Sequence, residues 1–224
     1  MNIPAERVGP AFSVEGMLLA RAETRRAIAA IAARIHPGMV EEDAVALART
    51  IIAEQGHTLS WHPVRIRFGA NTILPMKRSS PPGAVLGEND IFFIDIAPRI
   101  GHCEGDGGAS FVIGEAPEYA RCAGDAERLF HEVRHVWQTT RTSGRALYDF
   151  AARRAAEMGW VLDPELPGHR VSDFPHAAVH TGALADFDGH PSGMRWILEI
   201  HLLDPRRRFG AFFEDMLLDD AHYR

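Results

Sequence analysis

The sequence predicts a mixed α/β (α+β) fold made of one unit used twice, and three observations predict it. Two helices followed by strands and a hairpin occur in the same order in each half. Glycines that bound the helices recur at similar offsets, Gly38 to Gly144 being 106 positions and Gly56 to Gly159 being 103. An isolated carboxylate in an apolar strand recurs with them, Asp95 to Glu199 being 104 positions. Such self-similarity is the mark of a duplicated supersecondary unit. We therefore expect a single domain over 17–224, with halves at about 17–114 and 115–218, after an N-terminal extension over 1–16.

Each element has its own cause. Met17, Leu18, Ala22, Ile28, Ile31 and Ile35 recur at helical spacing until Pro37-Gly38 stops the run. A second helix follows over Val40–Ile52, with Glu41, Glu42 and Asp43 at its positive end and Gly56 closing it. Val64–Phe68 alternates apolar and basic residues as a half-buried strand does, and Pro75–Gly83 reads as a surface loop. Ile91–Ala97 is an apolar strand, and Ala109–Ile113 is the returning strand of its hairpin. The second half repeats this with helices over Tyr119–Thr140 and Arg145–Met158 and strands over Arg195–Leu203 and Gly210–Leu218.

Composition narrows the function. A formal charge of -6 carries no footprint for nucleic acid or an anionic bilayer, so neither partner is expected. No window approaches a membrane span and no apolar leader follows Met1, which predicts a cytoplasmic protein. Two cysteines, Cys103 and Cys122, are too few for a disulfide framework.

The chemistry lies in the carboxylates. Asp95 and Asp106 belong to the first hairpin and Glu199 and Glu214 to the second, with offsets of 104 and 108. An isolated carboxylate in an apolar strand must be neutralised by a proton, a basic partner or a metal, since bare burial costs several kcal/mol. Four placed symmetrically point to metal, and His169 in Pro167-Gly168-His169 is a candidate fifth ligand.

These residues resemble the superfamily of methionine aminopeptidase, aminopeptidase P and prolidase (M24-like metallopeptidases). The matching segments are Phe93-Ile94-Asp95, Gly105-Asp106, Gly168-His169, Gly193-Met194 to Glu199, and Phe213-Glu214-Asp215. The resemblance implies a duplicated pita-bread fold holding two divalent metal ions, Mn²⁺, Co²⁺ or Fe²⁺ before Zn²⁺. It implies metal ligands Asp95, Asp106, His169, Glu199 and Glu214, with Glu199 also a proton shuttle and His176 a donor to the oxyanion. The implied activity is hydrolysis of an amide C–N bond in a small peptide or a small acidic amide, and a homodimer would be in keeping.

The chain also departs from the family pattern. Members usually carry a histidine after a Leu-Pro pair, where this chain has Met76 after Leu74-Pro75. Ala177 replaces a glutamate beside His176, and Arg170 and Ser172 replace glycines. Ordinary peptidase activity is therefore expected to be weak, and a binding domain derived from a peptidase is the competing reading. His62 reads either as a loop histidine or as a stand-in for the absent one. Arg170 and Lys77 read as cations lining the cleft for an acidic substrate, unless Arg170 pairs with Asp173 or Asp215.

A rival motif, His131-Glu132-Val133-Arg134-His135, has the HExxH spacing of a zinc protease. On a helical wheel its histidines lie opposite Leu129, Phe130, Val133 and Trp137, so a solvated face is expected rather than a metal site.

Overall fold

The computed structural model describes residues 4–57, 60–176 and 180–223. Helix α1 spans Val14–Ala32 and α2 Glu41–Glu54. Strands β1 Arg65–Phe68, β2 Asp90–Ile96, β3 Arg99–Ile100, β4 Cys103–Glu104 and β5 Gly107–Ile113 complete the first half. The second half runs through α3 Pro117–Thr140, α4 Gly144–Glu157, β6 Val161–Leu162, β7 His169–Arg170, β8 Trp196–Leu203 and β9 Gly210–Met216. The first helix begins three residues before its apolar run because the Ser13 hydroxyl accepts from the Gly16 amide and caps it there.

One antiparallel sheet joins the halves in the order β1-β2-β5-β9-β8-β6, with β7 also paired to β8. The halves meet where β5 pairs β9, Gly108 opposite Glu214 and Ala109 opposite Phe213. One sheet face is covered by helices. Ile28, Ile31, Ala44 and Ile51 pack on Phe92, Ile94 and Ile96 in the first half, and Leu129, Phe130, Val133 and Leu147 pack on Leu198, Ile200 and Leu202 in the second. The other face carries the polar row described below.

Residues 4–13 lie against the second half, where the carboxylate of Glu6 accepts from the Ser192 amide and the Trp196 indole, and Asp173 accepts from the amides of Gly9 and Ala11. Arg67 is buried, unlike the half-exposed strand residue expected from alternation. Its guanidinium donates to the carbonyls of Leu74, Pro75 and Arg78 and so holds the loop that carries Met76 and Lys77. Cys103 is buried at the β3–β4 hairpin, and both cysteines are free thiols. No described helix is long and apolar enough to cross a membrane.

Candidate metal centre

Strand register builds the centre. Asp95 on β2 faces Gly108 on β5, Gly108 faces Glu214 on β9, and Glu214 faces Glu199 on β8. Cross-strand partners point to the same face of a sheet, so three carboxylates of different strands stand in one row. Gly108 is required in that row: a Cβ there would lie 2.5 Å from Phe212 Cε1 and 2.8 Å from the Ile94 carbonyl. Asp106 enters from the loop just before β5, and His169 from β7, which pairs with β8 opposite Ile197.

The row is buried, and three of its oxygens, Asp95 Oδ1, Asp106 Oδ2 and Glu214 Oε1, have no hydrogen-bond partner. Orphaned buried carboxylate oxygens are costly, and a shared cation is the economical remedy. His169 Nε2 stands 3.0 Å from Asp106 Oδ2, and the Glu199 carboxylate accepts from the Gly168 amide at 2.8 Å. Donor atoms of Asp106, His169 and Glu214 lie close enough to hold one ion, as do those of His62, Asp95 and Asp106. Residues, burial and donor types all fit divalent metal.

Electrostatics agree. Burial, with Asp106 and Asp95 nearby, lifts the Glu199 carboxyl to about 7, and burial with Asp106 lifts Asp95 to about 6. Burial and the same neighbours hold Glu214 well above the carboxylate range. Burial alone would raise Asp106, but His62 and His169 outweigh it and hold it at about 2. Burial likewise opposes charge on the two imidazoles, and the carboxylates overcome it, holding His62 at about 10 and His169 at about 9.

His62 is not a remote loop histidine: its Nε2 lies 3.1 Å from Asp106 Oδ1 and 3.6 Å from Asp95 Oδ1. Trp61 beside it meets the rings of His62, His169 and His176 edge-on at 4.7, 5.4 and 5.0 Å. His176 is held through Nδ1 by Glu104, a buried carboxylate that also accepts from the amides of His176 and Ser172. Glu104 and Trp61 were not singled out in the sequence. An acid two residues before the candidate ligand Asp106 was the available signal for Glu104. Ala177, where a glutamate was expected, lies outside the described residues.

Beside the row opens a cleft of about 590 Å³, lined by Met76, Lys77, Glu165, Leu166, His169 and Glu199 among others. Lys77 is where the cleft expectation put it. Arg170 is not: it is 1% exposed, and its guanidinium donates to the carbonyls of Arg195 and Arg7. Its partner is thus neither substrate nor Asp173 nor Asp215; Asp215 is bound by Arg21 and Arg25 instead. The reason is direction, since neighbours on a strand point to opposite faces and His169 takes the face of the metal row.

The HExxH segment gathers no ligand set among the described residues. Glu132 pairs with Arg154, and Arg134 is buried with its Nε on the Leu218 carbonyl. His131 is half-buried against Tyr223 rather than solvated, because the C-terminal segment crosses this helix.

No curated protein matches the sequence. Among solved structures, an X-Pro aminopeptidase from Thermotoga maritima matches at 18% identity and a TM-score of 0.71, over 91% of this chain and 56% of that one. A Xaa-Pro dipeptidase from Bacillus anthracis matches at 17% and 0.73, over 93% and 58%, and a prolidase from Pyrococcus horikoshii at 17% and 0.71, over 91% and 58%. The chain thus spans little more than half the length of each, and shares with them the pita-bread fold. The family model for metallopeptidase family M24 matches residues 15–219, and with the register of Asp95, Glu214 and Glu199 it places the chain in that family: this protein is a member of metallopeptidase family M24.

Proposed function

We propose that the protein is a dinuclear metal-dependent hydrolase that cleaves an amide C–N bond in a small peptide. The observation that carries this reading is the convergence of Asp95, Asp106, Glu214, Glu199 and His169 on one space, with Asp95 Oδ1 and Glu214 Oε1 buried and without a hydrogen bond. On this reading Asp95, Asp106, His169, Glu199 and Glu214 would hold the ions, Asp95 at one site and His169 with Glu199 at the other, with Asp106 and Glu214 serving both. Bound divalent ions supply Lewis-acid polarisation of a carbonyl and a water acidified for attack near neutral pH. Carboxylates with imidazole suit Mn²⁺, Co²⁺ or Fe²⁺, with Zn²⁺ a further candidate.

The chain's own groups supply the proton traffic. Glu199, which lines the cleft, is placed to take a proton at its carboxylate and return it to the leaving amine. His176, whose Nδ1–H is held by the Glu104 carboxylate, would donate from Nε2 to a developing oxyanion in its doubly protonated form, with Glu104 as counter-ion. The cleft has room for a short peptide, and the X-Pro activities named for two structural relatives favour such a substrate. Lys77 offers a docking charge for a carboxylate, while Glu165 in the same lining argues against a broadly acidic preference.

A competing reading, a binding domain without turnover, draws on Met76, whose thioether has no proton to donate. The test is an assay of protein loaded with Mn²⁺ or Co²⁺ against X-Pro dipeptides, Met-peptides and small N-acyl amides, with and without chelator. Chelator-sensitive cleavage of a small peptide is expected. Bound metal with no cleavage across the panel would overturn the enzymatic reading in favour of the binding domain.

A further inference from the structure

We propose that His62 is a sixth protein ligand of the metal centre, so that the ion held by Asp95 and Asp106 has an imidazole of its own. The inference rests on the metal-centre reading above and adds to it a residue from outside the acidic row.

Donor spacing is the first argument. Two atoms bound to one ion at 2.0–2.2 Å, at angles between octahedral and tetrahedral, lie about 3.0–3.4 Å apart. His62 Nε2 is 3.1 Å from Asp106 Oδ1, inside that range, and 3.6 Å from Asp95 Oδ1, 0.2 Å beyond it, the latter an oxygen with no hydrogen-bond partner. His169 Nε2 stands in the matching relation to the other oxygen of the same carboxylate, 3.0 Å from Asp106 Oδ2. Asp106 therefore presents one oxygen to each imidazole.

Ring orientation is the second argument. His62 Nδ1 lies 3.0 Å from the Pro63 carbonyl, and His169 Nδ1 lies 2.8 Å from the Arg170 carbonyl. A carbonyl oxygen only accepts, so the proton sits on Nδ1 in both rings. Once an ion displaces the Nε2 proton, that arrangement turns the Nε2 lone pair of each ring toward the metal, the usual way a carbonyl orients a ligating histidine. The two histidines are built alike, down to the use of the following residue's carbonyl.

The third argument is how His62 is delivered. The loop between α2 and β1 is pinned to the segments that carry the two aspartates. Ser60 Oγ donates to the Ala97 carbonyl, the Trp61 amide donates to the same oxygen, and the Trp61 indole donates to the Gly105 carbonyl. A loop held at the end of β2 and at the residue before Asp106 has little freedom to withdraw its histidine. A surface histidine that merely balances charge needs no such anchoring.

The consequence is a preference among metals. A second imidazole shifts the donor set toward the nitrogen-favouring ions Co²⁺ and Zn²⁺ and away from Mn²⁺.

The test is titration of metal-stripped protein with Co²⁺, followed by calorimetry and by the visible absorption of the bound ion. Wild type is compared with His62→Ala and with His62→Gln, which retains a donor for Asp106 should the alanine variant fail to fold. The expected result is two Co²⁺ per chain in wild type. Either variant should weaken one of the two by about 10–100-fold, shift its absorption bands and leave the other unchanged. Two ions bound to a folded variant with wild-type affinity and spectrum would overturn the proposal and leave the dinuclear reading standing. No Co²⁺ bound to wild type would overturn the dinuclear reading itself, and this proposal with it.

Discussion

Glu199 and Glu214 stand directly opposite each other on β8 and β9, both buried. Like charges in that position repel, and burial removes the water that would screen them. Neutralising that pair with a proton or a cation relieves the repulsion, which makes the fold itself sensitive to metal and to pH.

The sign of that sensitivity follows from the groups. Glu199 and Asp95 titrate near 7 and 6 in the folded state, above ordinary values of 4.5 and 3.8. Their stabilising protonation is full below the ordinary values and is lost as pH rises through 6–7. His62 and His169, raised from 6.5 to about 10 and 9, contribute stability that is full below 6.5 and is lost as pH rises through 9–10. Asp106 acts oppositely, but only as pH falls toward 2. Metal-free protein should therefore lose thermal stability steadily from pH 5 to 10. Metal should restore more of it at each higher pH, since binding displaces the ligand protons. A scanning-calorimetry series with and without Co²⁺ checks both, and a metal-free Tm that rises with pH would contradict the assignment.

Gly108→Ala should destabilise the protein by about 1–3 kcal/mol, because its Cβ would meet Phe212 and the Ile94 carbonyl inside the row. Urea unfolding measures this. Bound metal should fall in the same variant, since Asp95 and Glu214 are registered through this residue.

Glu104→Gln should lower kcat by about 10–100-fold with little change in KM. The carboxylate holds His176 by its ring and its amide, and touches neither the cleft nor the metal row. A changed pH profile of kcat should accompany the loss, an effect that general destabilisation would not produce. Unaltered kcat would show that His176 plays no part in turnover.

His131→Ala with His135→Ala should leave metal content and hydrolysis unchanged. Glu132 is committed to Arg154, and the histidines have no third ligand among the described residues. Elemental analysis of the purified double variant is sufficient, and a loss of metal would revive the zinc-protease motif.

The helices and principal strands were legible because their apolar periodicity is strong and glycine or proline ends most of the runs. The acidic row was legible for the opposite reason: Asp95 and Glu199 break otherwise apolar strands, which a chain tolerates only with compensation. His62 was not, because a loop has no periodicity and only the pinning of Ser60 and Trp61 to Ala97 and Gly105 brings it to Asp106. Arg170 misled because its place after His169 suggested the cleft, whereas strand alternation turns it to the carbonyls of Arg7 and Arg195. The face of His131 was read as solvated from the wheel of its own helix, which carries no information about the C-terminal segment that covers it.

The most direct test of the metal centre is the metal content of wild type and Asp106→Ala, each stripped, reloaded with Mn²⁺ or Co²⁺ and measured by elemental analysis. Asp106 offers an oxygen to each half of the site, so its loss should remove both ions. The structure predicts two ions per chain in wild type and roughly none in the variant, with a lower Tm for the variant under metal-loaded conditions. Equal metal in both proteins would contradict it.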